Sequence, residues 1–357
     1  MIRIRLGLVV EILKESPELQ IVLININNAK YKAISFPKMI GKLVNNEEVL
    51  VNTTAFTLNL GTGGYHFIMG KLSNPNCDTV TKGHIMKLRY TPEQIKVLSV
   101  EEEDSPYHNE IKNFQSLNKA PVLIGFLHSM LIPTIAGIKA LNPNLKISYI
   151  MTDGGALPMA FSHTVAFLNK LKWLNGTVTT GNSYGGQLEA INIYSGLAAA
   201  YEVLKADIII VIMGPGVVGT GTSLGTTALE VGQIINAVHS LEGNPILIPR
   251  INFNESRKRH IGVSHHVLTV LNKIALAKTT VVIPKIDNKD KANYVNDQLK
   301  CHEIFDKHSI IYEDGKLGLK YLEKHNINVK TMGQDLSQAR TFFETCCAAG
   351  TYTAKLK

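Results

Sequence analysis

The chain has 357 residues and a formal net charge of +8, with 45% hydrophobic and 18% charged residues. This length suits about two domains, and this proportion of apolar residues excludes a disordered chain. Because the lysines and arginines are scattered along the sequence instead of clustered, the excess positive charge does not predict a nucleic-acid partner.

The apolar stretches of the sequence do not indicate a membrane protein. The N-terminal apolar run is interrupted by Glu11 and Lys14 and lacks a small-residue cleavage site, so it does not read as a signal peptide. The apolar segment 122–141 contains His128 and Lys139, which suits a buried strand and helix. The cysteines are Cys77, Cys301, Cys346 and Cys347, without a CxxC pair. We expect a cytoplasmic protein with reduced thiols and no membrane partner.

Residues 1–100 have the pattern of short β-strands. Alternating or β-branched runs occur at 2–13, 19–26, 30–34, 48–52, 66–69 and 84–88, with turn signals such as Asn27-Asn28 between them. Such a series predicts a small β barrel or sandwich. An acidic stretch follows at 101–104, and we predict a linker and helix over 101–118.

Residues 119–357 alternate between strand and helix patterns. Strands are predicted at 122–126, 146–151, 177–180, 207–213, 245–248, 279–283 and 309–312. This alternation is typical of βαβ units, so we predict an α/β domain with a doubly wound, mostly parallel, Rossmann-like sheet. Ligands bind at the carboxyl ends of the strands in such folds.

Glycine-rich turns follow three of these strands and precede predicted helices. Glycine lets the backbone approach a ligand, and helix N-termini favour anions. With arginines nearby, the pattern predicts a small anionic ligand, phosphorylated or nucleotide-like, although plain turns would also explain the glycines. The predicted ligand-binding residues are Gly154, Gly155, Gly185, Gly186, Gly214, Gly216, Gly219, Thr220, Gly221, Arg250 and Arg259.

Histidines and an aspartate fall at the same strand ends. Imidazole titrates near neutrality and is a common metal ligand. The candidate catalytic residues are His128, Asp153, His260, His265 and His266, and the candidate metal ligands are His128, Asp153 and His265. The spacing matches no standard metal motif, and adjacent His265 and His266 are not expected to face one point from a helix. Surface or helix-capping roles, with Ser264 as the cap, are the alternative.

Two short motifs suggest other activities. Gly214, Gly216 and Gly219 match the G-x-G-x-x-G dinucleotide pattern, in which the helix begins within the motif. Here a capping box at Thr227 and Glu230 predicts that the helix begins about eight residues after the last of these glycines. The next predicted strand also lacks the acidic residue that would bind a ribose.

Residues 181–185 match G-x-S-x-G, the pattern of a serine hydrolase with Ser183 as nucleophile, but no acidic residue at a following strand end completes a triad, so the hydrolase is kept only as an alternative function. The preferred interpretation is that Ser183 caps a helix beginning near Gln187.

Seven longer segments stand out along the chain: GTGGYHF (61–67), HIMKLRYTP (84–92), EEEDSPYH (101–108), LHSML (127–131), MTDGGALP (151–158), MGPGVVGTGT (213–222) and GVSHH (262–266). Together they resemble the bacterial DUF3866 family, a domain of unknown function. The resemblance implies a bacterial cytosolic protein whose β and α/β parts belong together, and it supplies no activity, substrate or cofactor.

The leading interpretation is an enzyme that binds a small anionic ligand at the strand ends and uses histidine and aspartate for acid–base or metal chemistry. One alternative is a regulator whose N-terminal β domain binds nucleic acid or a protein. Another is that this domain is a lid or an oligomerisation module, with the turn 61–66 reaching the α/β site. We also expect a homo-oligomer, and the sequence identifies no cofactor.

Overall fold

The computed structural model describes residues 1–58, 60, 63–78 and 82–357. Internal contacts divide the chain into two compact units, Met1–Val97 and Leu98–Lys357. Each unit has its own hydrophobic core. The residues of the predicted acidic linker, 101–118, belong to the second unit.

The first unit contains a closed barrel of five strands. The elements are β1 (Ile4–Glu15), β2 (Gln20–Ile26), β3 (Ala29–Ser35), α1 (Pro37–Ile40), β4 (Glu48–Asn52), α2 (Thr54–Thr57) and β5 (His66–Lys71). The strand order is β1-β2-β3-β5-β4, with β4 pairing back to β1. All pairs are antiparallel except β3 with β5. The predicted small β domain is therefore a barrel.

Alternation of apolar and polar residues places one face of each strand inside the barrel. Val9, Val22, Ile24 and Val49 are fully buried there. The last predicted strand of this region lies outside the barrel, where β6 (Ile85–Lys87) pairs with β7 (Ile95–Val97).

The predicted functional turn 61–66 is only partly described, because Gly61 and Thr62 lie outside the described residues. His66 begins β5 and is buried, with its ring centroid 5.0 Å from that of Tyr31 and 4.7 Å from that of Phe56. His66 is therefore packed within the first unit.

The second unit is built on a parallel sheet flanked by helices. Its strands are β8 (Pro121–Gly125), β9 (Ile147–Met151), β10 (Gly176–Thr179), β11 (Leu188–Glu189), β12 (Ile208–Val211), β13 (Asn244–Ile248), β14 (Ile251–Asn252), β15 (Gly262–Val263), β16 (Thr280–Pro284), β17 (Ser309–Glu313), β18 (Lys330–Thr331) and β19 (Gln334–Asp335). Eight of them form one sheet in the order β11-β10-β9-β12-β8-β13-β16-β17, and all its pairs are parallel. The predicted α/β fold is confirmed.

The helices of this unit are α3 (His108–Lys112), α4 (Leu131–Leu141), α5 (His163–Lys170), α6 (Ile193–Ala198), α7 (Glu230–Ser240), α8 (His265–Thr269), α9 (Lys289–Cys301), α10 (Ile304–Lys307), α11 (Lys316–Lys324) and α12 (Arg340–Ala354). None of the helices in the described part of the chain combines the length and apolar character that crossing a membrane requires. All four cysteines are free thiols.

The connections wind the sheet in two directions. The chain passes from β8 to β9 through α4 and from β12 to β13 through α7, moving across the sheet in opposite directions. Because βαβ connections are right-handed, α4 and α7 cover opposite faces. Helices α11 and α12 pack on α4, whereas α6 packs on α7.

This winding creates a crevice at the carboxyl end of the sheet. Strands β8 and β13 are neighbours, but the chain leaves β8 towards β9 and leaves β13 towards β16, on the other side. A parallel sheet opens for ligands where adjacent connections diverge in this way. The loops after β8 and β13 therefore border the most favourable ligand position.

Candidate functional site

A pocket of about 500 Å³ lies at the carboxyl ends of β8, β12 and β13. This volume is within the range of small-molecule sites. Its apolar wall includes Phe126, Leu127, Val217 and Val267, and its polar wall includes Arg250, Arg257, His260, Ser264 and His266. The predicted site residues that line it are thus Gly219, Arg250, His260 and His266.

Arg250, the second residue after β13, is fixed in the pocket wall. Its Nη2 donates to Oε1 of Glu255 at 2.6 Å, and its Nη1 lies 3.3 Å from Nδ1 of His260. Both side chains of the ion pair are largely buried. Glu255 therefore neutralises Arg250, which leaves Arg257 as an exposed cation of the same pocket.

His260 is buried beside this ion pair. Its Nδ1 lies 2.8 Å from Oγ of Ser264, the residue that precedes α8. Desolvation by burial, followed by the charge of the neighbouring Arg250, lowers the pKa of His260 to about 3. The imidazole is neutral at neutral pH. The Ser264 hydroxyl makes no capping hydrogen bond to α8, so its contact here is with His260.

His265 and His266 pack against each other at the start of α8. Their ring centroids are 3.9 Å apart, and the His260 ring is 5.0 Å from His265 and 5.6 Å from His266. The two rings are therefore in contact, although His266 lines the pocket and His265 does not. Side chains in a helix usually lie over the preceding turn, and the first turn has none before it. The side chains of His265 and His266 can therefore turn towards each other until their rings are in contact.

Burial also lowers the pKa values of these two histidines. The pKa of His265 falls to about 4, because of desolvation and then the neighbouring His266. Desolvation likewise lowers the pKa of His266. The Nε2 atoms of both rings are buried without a hydrogen-bond partner in the described part of the chain. The pocket therefore borders a cluster of neutral imidazoles.

The loop after β12 contacts this cluster through Gly219. A Cβ atom at this position would lie 2.9 Å from Cε1 of His266. The loop then folds on itself, with the Thr220 backbone N–H donating to Gly225 O at 2.8 Å and the Thr220 hydroxyl 2.8 Å from that of Thr222. Gly216 and Gly221 face open space.

Other predicted glycines serve contacts between loops. A Cβ atom on Gly155 would overlap the carbonyl oxygen of Gly214, and one on Gly214 would overlap that of Ala156. The loops after β9 and β12 cross at this point, where Ala156 N donates to Pro215 O at 2.7 Å. These glycines therefore allow two backbones to pass.

Gly185 and Gly186 bind side chains of the same region. Gly185 N donates to Oε1 of Glu189 at 2.7 Å, and Gly186 N donates to Oγ1 of Thr179 at 3.1 Å. Arg259 is not among the residues that line the pocket, and its Nε is buried without a partner among the described residues.

His128, after β8, makes hydrogen bonds within the protein. Its Nε2 lies 2.6 Å from Oγ of Ser162, and its Nδ1 lies 3.2 Å from O of Met213 and 3.3 Å from the Tyr149 hydroxyl. Burial lowers its pKa to about 4. Ser162 also caps α5 by accepting from Val165 N. Both nitrogens of His128 are therefore engaged by structural contacts.

A carboxyl pair lies at the end of β9. Asp153 is exposed and accepts from Asn182 N at 2.9 Å. Glu230 accepts from the Thr152 hydroxyl at 2.6 Å, and a Cβ atom on Gly154 would lie 2.7 Å from its Oε2. Burial raises the pKa of Glu230 to about 7; the Thr152 hydrogen bond opposes this increase, and the Asp153 charge adds to it.

The sequence did not identify Glu230 as a site residue, because the capping-box pattern explained it. The helical turn does begin at Thr227, as the pattern predicts, but the capping box itself is wrong. The side chain of Thr226, not Thr227, caps the short helical turn before α7, and Glu230 turns its carboxyl group to Thr152.

The structure does not bring the candidate metal ligands together. Within the described ranges, no group of three or more His, Cys, Asp or Glu residues has an arrangement that could hold a metal ion. His128 is hydrogen-bonded to Ser162, and Asp153 is hydrogen-bonded to the backbone of Asn182. The ring of His265 packs against that of His266.

Ser183 lies in a different setting from a nucleophile elbow. It is fully buried, and its hydroxyl donates to Thr152 O at 2.9 Å. The expected helix near Gln187 is absent from this described segment, which forms β11, and the next helix begins at Ile193 with Asn192 as its cap. Burial of the hydroxyl does not favour a nucleophilic role, which requires access to substrate.

Comparison with known proteins gives one match. A family model described as a protein of unknown function (DUF3866) matches residues 32–350, nearly the whole chain. No curated protein and no solved structure matches the chain.

Proposed function

The chain belongs to the DUF3866 family, and we propose that its α/β unit is an enzyme that binds a small anionic molecule, phosphorylated or nucleotide-like. The proposed binding site is the pocket at the carboxyl ends of β8, β12 and β13. One observation carries the proposal: an exposed arginine and uncharged imidazoles converge in a pocket at the point where the sheet connections diverge.

The charge of the pocket supports an anionic ligand. Glu255 neutralises Arg250, while Arg257 forms no ion pair with any residue in the described ranges. The guanidinium fork of arginine binds phosphate or carboxylate oxygens in pairs. The apolar wall of Phe126 and Val217 suits the organic part of such a ligand.

One group suited to acid–base chemistry, Glu230, and neutral imidazoles suited to hydrogen bonding lie at the same edge of the sheet. His260 and His266 have lowered pKa values, so their imidazoles are uncharged at neutral pH. Glu230 has a pKa of about 7, which suits proton transfer near neutrality. These groups favour an enzyme over a simple binding protein.

The test begins with four probes, inorganic phosphate, pyrophosphate, AMP and ADP, screened by thermal shift at constant ionic strength. Calorimetric titration of the best probe then compares Arg257→Ala with Lys258→Ala, its exposed neighbour that does not line the pocket. Because Arg257→Ala removes a charge-assisted contact, its affinity for the probe should be about 10-fold or more weaker than that of wild type. The affinity of the control Lys258→Ala should fall by less than about 3-fold. Equal effects, or no binding of any probe, would contradict the proposal.

A further inference from the structure

We propose that His260 is fixed as the neutral tautomer with its proton on Nε2, and that this N–H donates a hydrogen bond to an oxygen atom of the pocket ligand. The ligand contact rests on the proposed function. The tautomer rests on the contacts around the ring and does not depend on the ligand.

The groups around Nδ1 of His260 leave it no proton. Arg250 Nη1 lies 3.3 Å away, and a guanidinium has donors but no acceptor. Ser264 Oγ lies 2.8 Å away and can donate its hydroxyl proton. Nδ1 must therefore accept, and the proton of the neutral ring lies on Nε2.

A second set of hydrogen bonds holds Arg250 in this orientation. Glu255 Oε1 accepts from Arg250 Nη2 at 2.6 Å and from Asn252 Nδ2 at 3.2 Å. Asn252 Nδ2 also donates to Gln334 Oε1 at 2.9 Å. Glu255 and Asn252 are thus held in place by their own hydrogen bonds. If the guanidinium turned away from His260, Arg250 would lose its ion pair with Glu255.

Nε2 of His260 is available for a ligand. It has no hydrogen-bond partner among the described residues, and it is not sealed from solvent as the Nε2 atoms of His265 and His266 are. His260 also lines the pocket. In the proposed contact, this Nε2–H is the donor that meets the ligand.

The surrounding charges oppose protonation of the ring. The groups that act on His260 are Arg250, Arg259, His265 and His266, and Glu255 reaches it through Arg250. If Nδ1 were protonated, its N–H would face the N–H of the Arg250 guanidinium, and the two positive charges would repel each other. Since its pKa is about 3, the ring stays neutral from pH 5 upwards.

The donor selects for ligands with an acceptor oxygen, such as a phosphate or carbonyl oxygen. A fixed neutral donor can stabilise negative charge that develops on that oxygen, and it does so without giving up its proton. His260 would then act by donating a hydrogen bond, and another group would transfer the proton.

The tautomer is tested by nitrogen NMR of wild-type protein labelled with ¹⁵N-histidine, from pH 5.5 to 8. The His260 signals are assigned as those lost in His260→Gln. We expect a protonated Nε2 and an unprotonated Nδ1, unchanged across this range. A proton on Nδ1, or a titration near the ordinary pKa of 6.5, would overturn the inference.

The ligand contact is tested by titrating the best of the four probes into two variants. His260→Gln keeps a side-chain N–H and should bind within about 3-fold of wild type, whereas His260→Leu should bind about 10-fold more weakly. Equal affinity of both variants would overturn the contact. If no probe binds the wild type, the proposed function fails together with the contact, and the tautomer is decided by NMR alone.

Discussion

Glu230 shows how burial changes the chemistry of a single residue. Glu230 is the first residue of α7, and its carboxyl group is packed against Thr152 and Gly154. Burial raises its pKa from 4.5 to about 7. Between these pH values the folded protein therefore holds a proton that the unfolded chain has released.

This proton predicts how stability depends on pH. The folded state binds more protons than the unfolded state, so the contribution of Glu230 to the free energy of unfolding falls as pH rises from about 4.5 to 7. Relative to Glu230→Gln, wild type should lose about 1–2 kcal/mol over this range, allowing for solvent screening. Urea denaturation at pH 5 and pH 8 measures the change.

The control for this measurement is Glu323→Gln, which neutralises an exposed glutamate of α11. Its difference from wild type should be nearly constant with pH. A constant difference for Glu230→Gln as well would show that Glu230 ionises as an ordinary exposed carboxyl group.

The sequence predicted the residue types of the site better than their roles. The sequence predicts basic and imidazole site residues after the strand end near Ile248, and of these Arg250, His260 and His266 line the pocket. Which arginine is paired depends on Glu255, whose side chain reaches Arg250 only in the folded loop. Tertiary contacts of this kind leave no periodic signal, so the sequence predicted Arg259 as ligand-binding and missed Arg257, which lines the pocket.

At the scale of elements, close approach of α4 and α12 fixes one layer of the α/β unit. Cβ atoms on Gly137 and Gly350 would overlap the carbonyl oxygens of Cys347 and Thr134. The two helices therefore touch through their backbones, and each supplies a glycine where the other passes.

This contact predicts that Gly137→Ala destabilises the protein by about 1–3 kcal/mol, because overpacking outweighs the better helix propensity of alanine. Chemical denaturation measures the loss. Gly221→Ala is the matched control, since no atom lies within 4 Å of its Cβ position. Unchanged stability of Gly137→Ala would mean that the helices are not in contact at this point.

Most strands could be predicted because their residues are β-branched and fully buried. Each of the seven predicted strands of the sheet is present, and β12 consists largely of isoleucine. The strands that were missed have three residues (β7) or two residues each (β11, β14, β15, β18 and β19). Segments this short carry no measurable period, and their pairing is decided by neighbours distant in sequence.

At the scale of the whole molecule, two units with separate cores divide the chain. The division into a β part and an α/β part followed from the change in periodicity. The strand order did not, because β12 inserts between β9 and β8 through contacts that no local pattern specifies. The crevice beside β8, and hence the position of the pocket, follows from that order.

The most direct test of the proposed site is a crystal structure of the full chain with the best-binding probe. We predict electron density for the probe in the pocket, with an anionic group at Arg257 and an oxygen atom within hydrogen-bond distance of Nε2 of His260. A probe bound elsewhere in the molecule, with this pocket empty, would contradict the proposed function.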